Sequence, residues 1–285
     1  MIDRGWDGER FERIVHNIKA LPIRMNIRLR VPGEISTNKL LMAGAKSLAD
    51  SPNVHSINLL TNLSLRKDQF ERLFQGFDDS KVAIVGSYHP TEVKNPDQWI
   101  ETALYANDRF DFAICLVAWP PLLADLSERK RDLESKGFTV FVQAFIGDYE
   151  DRPYPGSYTD TERAALKPLF YSRHDYEFLL NLKQPDLCNA GYRSFYIAED
   201  GEVFPCGNGA WEFSMGNLSN SPEIKLGDGA RPCPFQTCQC DTENMNTQVF
   251  HQNYTLTGIN QHKYTYRLKA KAKTDPAVDE WAINY

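Results

Sequence analysis

The chain has 285 residues, and its 32 Lys and Arg against 38 Asp and Glu give a formal net charge of −6. At roughly 100–200 residues per domain, this length predicts one large domain or one domain with an appendage. The mild acidity argues against nucleic acid as a main partner, because binding phosphates requires a concentrated basic face. Charged residues at 25% and aromatic residues at 12% exclude a wholly disordered chain.

Residues 11–145 alternate between two apolar patterns. Helical spacing of apolar residues is followed each time by a short run of β-branched and aromatic residues, so five strands each follow a helix. Runs that are apolar throughout are typical of parallel strands buried on both faces. The predicted helices are 11–21, 39–49, 68–77, 96–105 and 126–136, and the predicted strands are 25–31, 54–60, 81–85, 112–117 and 139–145.

This alternation predicts an α/β fold with a parallel sheet. Crossovers between parallel strands are right-handed in nearly all cases, so the sheet is expected to curl toward a barrel or to wind doubly. A β/α unit normally opens with its strand, whereas this chain opens with a helix. We therefore expect that a first strand is missing.

The pattern changes in the second half of the chain. Pro, Gly, Tyr and Asp residues at 147–161 predict a loop or linker, and short helices are predicted at 161–166 and 175–183. Two short β-like runs flank Asp200-Gly201, which predicts a hairpin with a type I′ turn. The predicted regions are a partial barrel at 1–147, a linker with short helices at 148–186, a small cysteine-rich domain at 187–245 and an extension at 246–285.

Targeting signals are absent from the sequence. The charged start lacks the apolar run of a secretory signal, and the longest apolar stretches, such as 112–117, are too short to cross a bilayer. We therefore expect a cytoplasmic protein with no membrane partner. In that reducing compartment, clustered cysteines indicate a metal site more often than a disulfide.

Five of the six cysteines lie within the last 98 residues. Cys188 and Cys206 follow the spacing C-x12-G-x4-C, and Cys233, Cys238 and Cys240 come later. Thiolates select zinc or iron–sulfur clusters, and four of them suffice for either one 4Fe–4S cluster or one structural zinc, so one cysteine is spare. The wide first spacing favours a cluster, because tetrahedral zinc sites usually use closely spaced pairs. The sixth cysteine, in the apolar run at 112–117, is expected to be a core residue.

At these residues the chain resembles the auxiliary-cluster domain of radical SAM enzymes, of the SPASM or twitch type. The spacing of Cys233, Cys238 and Cys240 departs from a full SPASM domain, so a single-cluster, twitch-like version is the better match. The resemblance implies an auxiliary 4Fe–4S cluster. The matching stretches are Cys188-Asn-Ala-Gly191, Ile197-Ala-Glu-Asp-Gly201-Glu-Val-Phe-Pro-Cys206 and Met215-Gly216-Asn217-Leu218.

Upstream, the chain resembles the radical SAM core, a partial TIM-like (β/α) barrel. The Val-Pro-Gly-Glu sequence at 31–34 lies where the family carries Gly-Gly-Glu-Pro, the turn that receives the ammonium group of S-adenosylmethionine. Ligands of such folds gather at the carboxyl ends of strands. The resemblance therefore implies cofactor contacts from polar residues at or near the strand ends. These residues are Gly33, Glu34, Asn62, Ser87, His89 and Gln143.

Several of these residues also have a purely structural interpretation. Glu34 can be a solvated carboxylate at a strand end, Asn62 can form an Asx turn, and Ser87 can cap the turn before Pro90. His89 is as readily a plain loop histidine.

The family's C-x3-C-x2-C motif, which holds the catalytic cluster, is absent, because no cysteine precedes Cys115. Without it no electron reaches the sulfonium, so no residue is expected to be catalytic and the chain as it stands should be inactive in radical chemistry. Two explanations stay open. One is an N-terminally truncated enzyme that, when complete, uses an electron donor and acts on a peptide or small organic substrate. The other is a non-catalytic iron–sulfur or zinc interaction protein derived from the family.

Truncation is favoured because the Gly33-Glu34 turn and the succession of strands are retained. Pro32 counts the other way, because it removes an N–H group from that turn.

Overall fold

The structure, a computed structural model, describes residues 7–29, 33–170, 176–177, 180, 188, 190–207 and 214–232. Helices and strands alternate in its first half as the sequence predicts. The helices are α1 (Gly8–Ala20), α2 (Lys39–Ala49), α3 (Lys67–Leu73), α4 (Pro96–Arg109) and α5 (Leu123–Ser135). The strands are β1 (Met25–Leu29), β2 (Val54–Thr61), β3 (Val82–Tyr88), β4 (Asp111–Ala118) and β5 (Val140–Ala144).

Side-chain caps explain where several helices begin. Asn38 and Asn95 each accept a hydrogen bond from the amide three residues further on, which satisfies an N–H group that has no partner inside the helix. Helix α3 is shorter than predicted and ends at Leu73. Gly76, with a φ of 78°, lies shortly after that end and turns the chain out of the helical conformation.

The five strands form one parallel sheet in the order β1-β2-β3-β4-β5. The sheet curls into half of a barrel, so the predicted partial TIM-like α/β fold is confirmed. Alternate side chains on its convex face pack under the helices and form the main core, which explains the near-continuous apolar runs. Members of this core from four successive strands are Ile57, Ile84, Ile114 and Val142.

The concave face carries a smaller apolar cluster with polar residues beside it. Cys115 lies in this cluster with 3% of its surface exposed, as expected for a core cysteine. Ser87 and Gln143 lie on the same face and are half-buried, because each is two residues from a cluster member on its own strand. The cluster consists of Val85, Ala113, Cys115 and Phe141, with Leu60 packed against it.

A hairpin follows the half-barrel within the stretch predicted as a loop. It consists of β6 (Gly147–Tyr149) and β7 (Arg152–Tyr154), which pair antiparallel. Glu150 and Asp151 at its tip have φ values of 49° and 56°, as in a type I′ turn. The sequence does not predict this turn, because its two left-handed positions carry Glu and Asp instead of glycine.

Tyr158 anchors the segment that follows the hairpin. Its hydroxyl donates a hydrogen bond to the carbonyl of Ala118 and accepts one from the amide of Phe145 at 2.9 Å, so it ties the ends of β4 and β5 together. Burial raises the pKa of Tyr158, which keeps the phenol neutral and able to donate. Helix α6 (Asp160–Leu166) follows its N-cap residue Thr159, whose side chain accepts a hydrogen bond from the Glu162 amide. Most of the helix predicted at 175–183 lies outside the described residues.

The predicted C-terminal hairpin is present within a three-stranded antiparallel sheet. Its strands are β8 (Tyr196–Ile197), β9 (Glu202–Phe204) and β10 (Gly216–Asn217), in the order β10-β9-β8. The predicted type I′ turn is wrong, because Gly201 has a φ of 88° whereas Asp200 is not left-handed. The Gly201 amide donates to the carbonyl of Ala198 at 3.0 Å, so the turn spans 198–201 and ends on the glycine.

Helix α1 contacts both the half-barrel and the small sheet. The side-chain amide of Asn17 donates to the carbonyl of Leu218 at 2.9 Å. Val203, Met215 and Leu218 from the small sheet belong to the main core. In the part of the chain that the structure describes, every helix is too short or too polar to cross a bilayer.

Candidate functional site

Glu34 connects the carboxyl ends of β1 and β2. Its Oε1 accepts hydrogen bonds from the Ser36 amide at 3.0 Å and from the Thr61 hydroxyl at 2.6 Å, and its Oε2 accepts the Asn62 amide at 2.6 Å. The Glu34 carboxylate, a predicted cofactor contact, therefore also links the segments after β1 and β2 through hydrogen bonds within the protein. Thr61, which is 3% exposed, is absent from the predicted contacts because its bond to Glu34 spans 27 residues of chain.

The geometry leaves Glu34 limited capacity for a ligand. A carboxylate offers about four lone-pair positions, and the three bonds leave one of them on Oε2. Neighbouring Gly33 is exposed and has a φ of 96°, with no atom within 4 Å of the position a Cβ would take. Glycine is therefore required there for backbone conformation rather than for space. Residues 31 and 32 of the predicted turn lie outside the described residues.

The loop after β2 holds a strained residue beside Glu34. Leu63 has a φ of 52° although its side chain is buried, a conformation that costs about 1–3 kcal/mol. The Thr61 hydroxyl accepts the Leu63 amide at 3.1 Å, and the Asn62 side chain accepts the Ser64 amide at 2.9 Å. Glu34 supports this conformation because it holds both Thr61 and Asn62.

Asn62 makes the Asx turn that its structural interpretation requires. Its carbonyl also accepts the indole N–H of Trp99 from α4 at 2.8 Å. The side-chain oxygen, the amide and the carbonyl of Asn62 therefore all have partners within the protein.

Ser87 and Gln143 lie near the carboxyl ends of β3 and β5, on the concave face. Ser87 is level with Cys115 of β4, and Gln143 is level with Val117 one step further along. The thiol of Cys115 contacts Gln143 Oε1 at 3.7 Å. His89 follows β3, and its carbonyl accepts two amides of the next turn, from Glu92 and Val93. The structure thus joins Glu34 to Asn62 directly, places Ser87 and Gln143 on one face, and places His89 in a loop.

The second candidate site contains two of the predicted metal ligands. Cys188 and Cys206 are 7% and 9% exposed and pack together with Ala190. The amide of Ala190 donates to Cys188 Sγ at 3.4 Å. Cys233, Cys238 and Cys240 lie outside the described residues. Within the described ranges, no three His, Cys, Asp or Glu residues are grouped as a metal site would require.

The environment of these two thiols suits a soft metal. They come from separate segments of the chain, and thiol sulfur is a ligand that zinc and iron–sulfur clusters prefer. Cys188 also exchanges both backbone hydrogen bonds with Arg231, at 2.8 and 3.0 Å. Arg231 is two residues ahead of Cys233, so the chain reaches Cys188 just before the remaining cysteines.

Comparisons with known proteins place the likeness at the level of fold. No protein-family model matches the chain, and no curated protein matches it. Several solved structures match the chain. Hexahistidine-tagged anSMEcpe with bound AdoMet aligns with a TM-score of 0.50 and 13% identity, over 86% of this chain and 70% of that one. Native anSMEcpe with bound AdoMet aligns with a TM-score of 0.50 and 14% identity, over 86% and 73%.

A third structure, native anSMEcpe with bound AdoMet and the Kp18Cys peptide, aligns with a TM-score of 0.49 and 14% identity, over 84% of this chain and 72% of that one. At such identities a likeness shows the fold alone. The first two alignments show that this chain shares its half-barrel fold with anSMEcpe.

Proposed function

We propose that this chain is a radical SAM-type iron–sulfur protein whose C-terminal cysteines hold an auxiliary 4Fe–4S cluster. The observation that carries the proposal is that Cys188 and Cys206 lie in one buried cluster with Ala190. In further support, Arg231 pairs with Cys188 through its backbone, and Cys233 follows Arg231 by two residues in the sequence. Four cysteines drawn from the five would complete the ligand set of a 4Fe–4S cluster.

We extend the proposal to AdoMet at the strand ends of the half-barrel. In support, the aligned anSMEcpe structures hold AdoMet. Glu34 retains one acceptor position for an ammonium group, and Ser87 and Gln143 supply hydrogen-bonding groups on the concave face. AdoMet would supply a sulfonium that a reduced catalytic cluster can cleave. The 285 residues contain no cysteine ahead of Cys115, so the thiolates for such a cluster would have to come from elsewhere.

For the substrate we propose a peptide or a small organic molecule bound over the concave face, with an external electron donor. The alternative is a non-catalytic metal-binding protein. One observation favours it, namely that three of the four acceptor positions of Glu34 are already used inside the protein. Under this alternative the metal site persists but AdoMet does not bind.

The metal content tests the cluster. Protein purified without oxygen should be brown and contain about four irons per chain with matching acid-labile sulfide. Cys188→Ala should lose the metal, whereas Cys115→Ala, a buried thiol outside the proposed ligand set, should retain it. Stoichiometric zinc without sulfide, or a colourless protein without metal, would overturn the cluster assignment.

AdoMet binding separates the two functions. Calorimetric titration of the metal-loaded protein with AdoMet should show a saturable site that Glu34→Gln weakens by about tenfold or more, because the substitution removes a charge facing the ammonium. Glu92→Gln, at an exposed position in the turn after β3, is the matched control and should bind like the wild type. A wild-type protein that holds iron but binds no AdoMet would leave only the non-catalytic alternative.

A further inference from the structure

Thr61 is the buried residue whose side chain contacts the Glu34 carboxylate. It is the last residue of β2, and its hydroxyl oxygen lies 2.6 Å from Glu34 Oε1 and 3.1 Å from the amide nitrogen of Leu63. An amide nitrogen can only donate, so the hydroxyl accepts from Leu63 and its single proton is left for Glu34. The direction of the bond is therefore fixed, with Thr61 as donor and Glu34 as acceptor.

The two oxygens of the Glu34 carboxylate have different surroundings. Oε1 accepts from the Thr61 hydroxyl and from the Ser36 amide, and these two partly buried bonds use both of its lone-pair positions. Oε2 accepts one bond within the described residues, from the amide of Asn62, which is an exposed residue. The remaining acceptor position therefore belongs to Oε2, on the side of the carboxylate that faces the surface.

The space beside Glu34 allows a ligand to reach Oε2. Gly33 is exposed, and no atom lies within 4 Å of the position that a Cβ on this residue would take. An ionised carboxylate can only accept hydrogen bonds, so a ligand at this position has to donate one, and a positively charged donor gains most. An ammonium group has both properties.

The Thr61 hydroxyl is the one side-chain donor among the three hydrogen bonds that fix Glu34, since Ser36 and Asn62 donate backbone amides. A glutamate side chain otherwise loses considerable rotamer freedom when it binds a ligand. A carboxylate that is already fixed binds its ligand more tightly, because that entropy has been lost on folding. The bond from Thr61 therefore bears on ligand affinity as well as on the fold.

We infer that Thr61 is a positioning residue for the site at the strand ends, whose hydroxyl fixes Glu34 so that Oε2 presents its open acceptor position to the ammonium group of the ligand. This inference rests on the proposed function, because the ligand is the AdoMet proposed above. It assigns Thr61 no contact with AdoMet itself.

Two ligands and three variants of the metal-loaded full chain test this role by calorimetric titration. The ligands are AdoMet and its deaminated analogue, in which hydrogen replaces the α-amino group. Thr61→Val removes the hydroxyl at nearly constant volume, and Thr61→Ser keeps it. Thr91→Val, at an exposed position in the turn after β3, is the matched control.

Thr61→Val should weaken AdoMet binding by about three- to tenfold, the scale of one hydrogen bond. Its affinity for the deaminated analogue should equal that of the wild type, because that ligand has no ammonium group for Glu34 to receive. Thr61→Ser and Thr91→Val should bind both ligands like the wild type. In a Glu34→Gln background, Thr61→Val should weaken AdoMet binding by less than it does in the wild type, because the two residues act as one unit.

The outcomes separate the inference from the function beneath it. A wild-type protein that binds no AdoMet overturns both the inference and the proposed AdoMet site. A wild type that binds AdoMet while Thr61→Val keeps the same affinity overturns the inference alone. Equal loss of both ligands in Thr61→Val shows a general effect on the fold and also overturns it. If Thr61→Val does not fold, Thr61→Ala, which leaves room for a water beside Glu34, decides by the same comparison.

Discussion

The half-barrel and the small C-terminal sheet achieve order in different ways. In the half-barrel, the central strands β3 and β4, of seven and eight residues, bury apolar side chains on both faces, and residues 82–86 of β3 are buried without interruption. The C-terminal sheet has strands of only two or three residues, and its buried apolar set within the described ranges centres on Val203, Met215 and Leu218. A sheet this small needs a further source of stability.

The difference shows what each region depends on. The half-barrel depends mainly on the volume of its buried apolar side chains. The C-terminal region contains three left-handed glycines, Gly191, Gly201 and Gly216, and under the proposed function it also depends on the metal bound by its cysteines. For a region with so small a core, the free energy of metal binding is also free energy of folding.

The largest expected effect is the loss of order in the C-terminal sheet when the proposed metal is removed. Removing the metal by chelation, or by Cys206→Ala, should expose β9 while β4 stays protected, because only the small sheet relies on binding energy. Hydrogen–deuterium exchange of the two strands measures this directly. Cys115→Ala is the control within the half-barrel. Equal loss of protection in both strands would show that the two regions unfold as one unit.

Gly201→Ala should destabilise the small sheet by about 2–3 kcal/mol, because the residue has a φ of 88° and an added Cβ would lie 2.5 Å from the amide nitrogen of Ser219. Gly229→Ala is a matched control, because no atom lies within 4 Å of its Cβ position. Denaturant unfolding of the metal-loaded protein measures both. A Gly201→Ala protein as stable as the control would contradict the close approach of Ser219.

Within the half-barrel, Thr61→Val should cost about 1–3 kcal/mol, because it leaves the buried amide of Leu63 without its acceptor and removes one of the three hydrogen bonds to Glu34. Thr91→Val, at an exposed position, should change stability by less than about 0.5 kcal/mol. Thermal unfolding compares the two. The prediction fails if the two variants lose equal stability.

Tyr158→Phe should have the smallest effect, about 1–2 kcal/mol, because it removes the hydroxyl that ties β4 to β5. Burial raises the pKa of Tyr158. The stability contributed by the neutral phenol is therefore fully present below the unfolded value of about 10 and is lost as the pH rises above it. Tyr196→Phe, at a tyrosine that is 44% exposed, is the control. A wild-type advantage that grows above pH ~10 would contradict this assignment.

The sequence predicted the elements whose signals are local. Apolar periodicity located all five strands and their helices, and the bounds of α2 agree to the residue. Two kinds of structural feature were not predicted from the sequence. The turn at Glu150 and Asp151 lacks the glycine that usually marks left-handed backbone, and the bond between Glu34 and Thr61 joins distant strands. The hairpin at Gly201 was found, but its turn type was not, because the contact with Ser219 also comes from outside the hairpin.

In the candidate sites, too, features with a local sequence signal were predicted and features that depend on long-range contacts were not. C-x12-G-x4-C pointed to two cysteines that do pack together, because a hairpin between them is a local device. The backbone bridge between Cys188 and Arg231 gave no signal, because it joins residues that are far apart in the sequence. At the strand ends, residue type identified Glu34 but not that most of its hydrogen-bonding capacity is used internally.

The hydrogen bond from Asn17 to Leu218 joins residues 201 positions apart. During synthesis it cannot form until the second partner has emerged from the ribosome, whereas the five-stranded sheet is complete once residue 144 has emerged. The cysteine region therefore folds against an already finished scaffold. Under the proposed function, this order leaves an interval in which metal can reach Cys188 and Cys206 before the small sheet docks on α1.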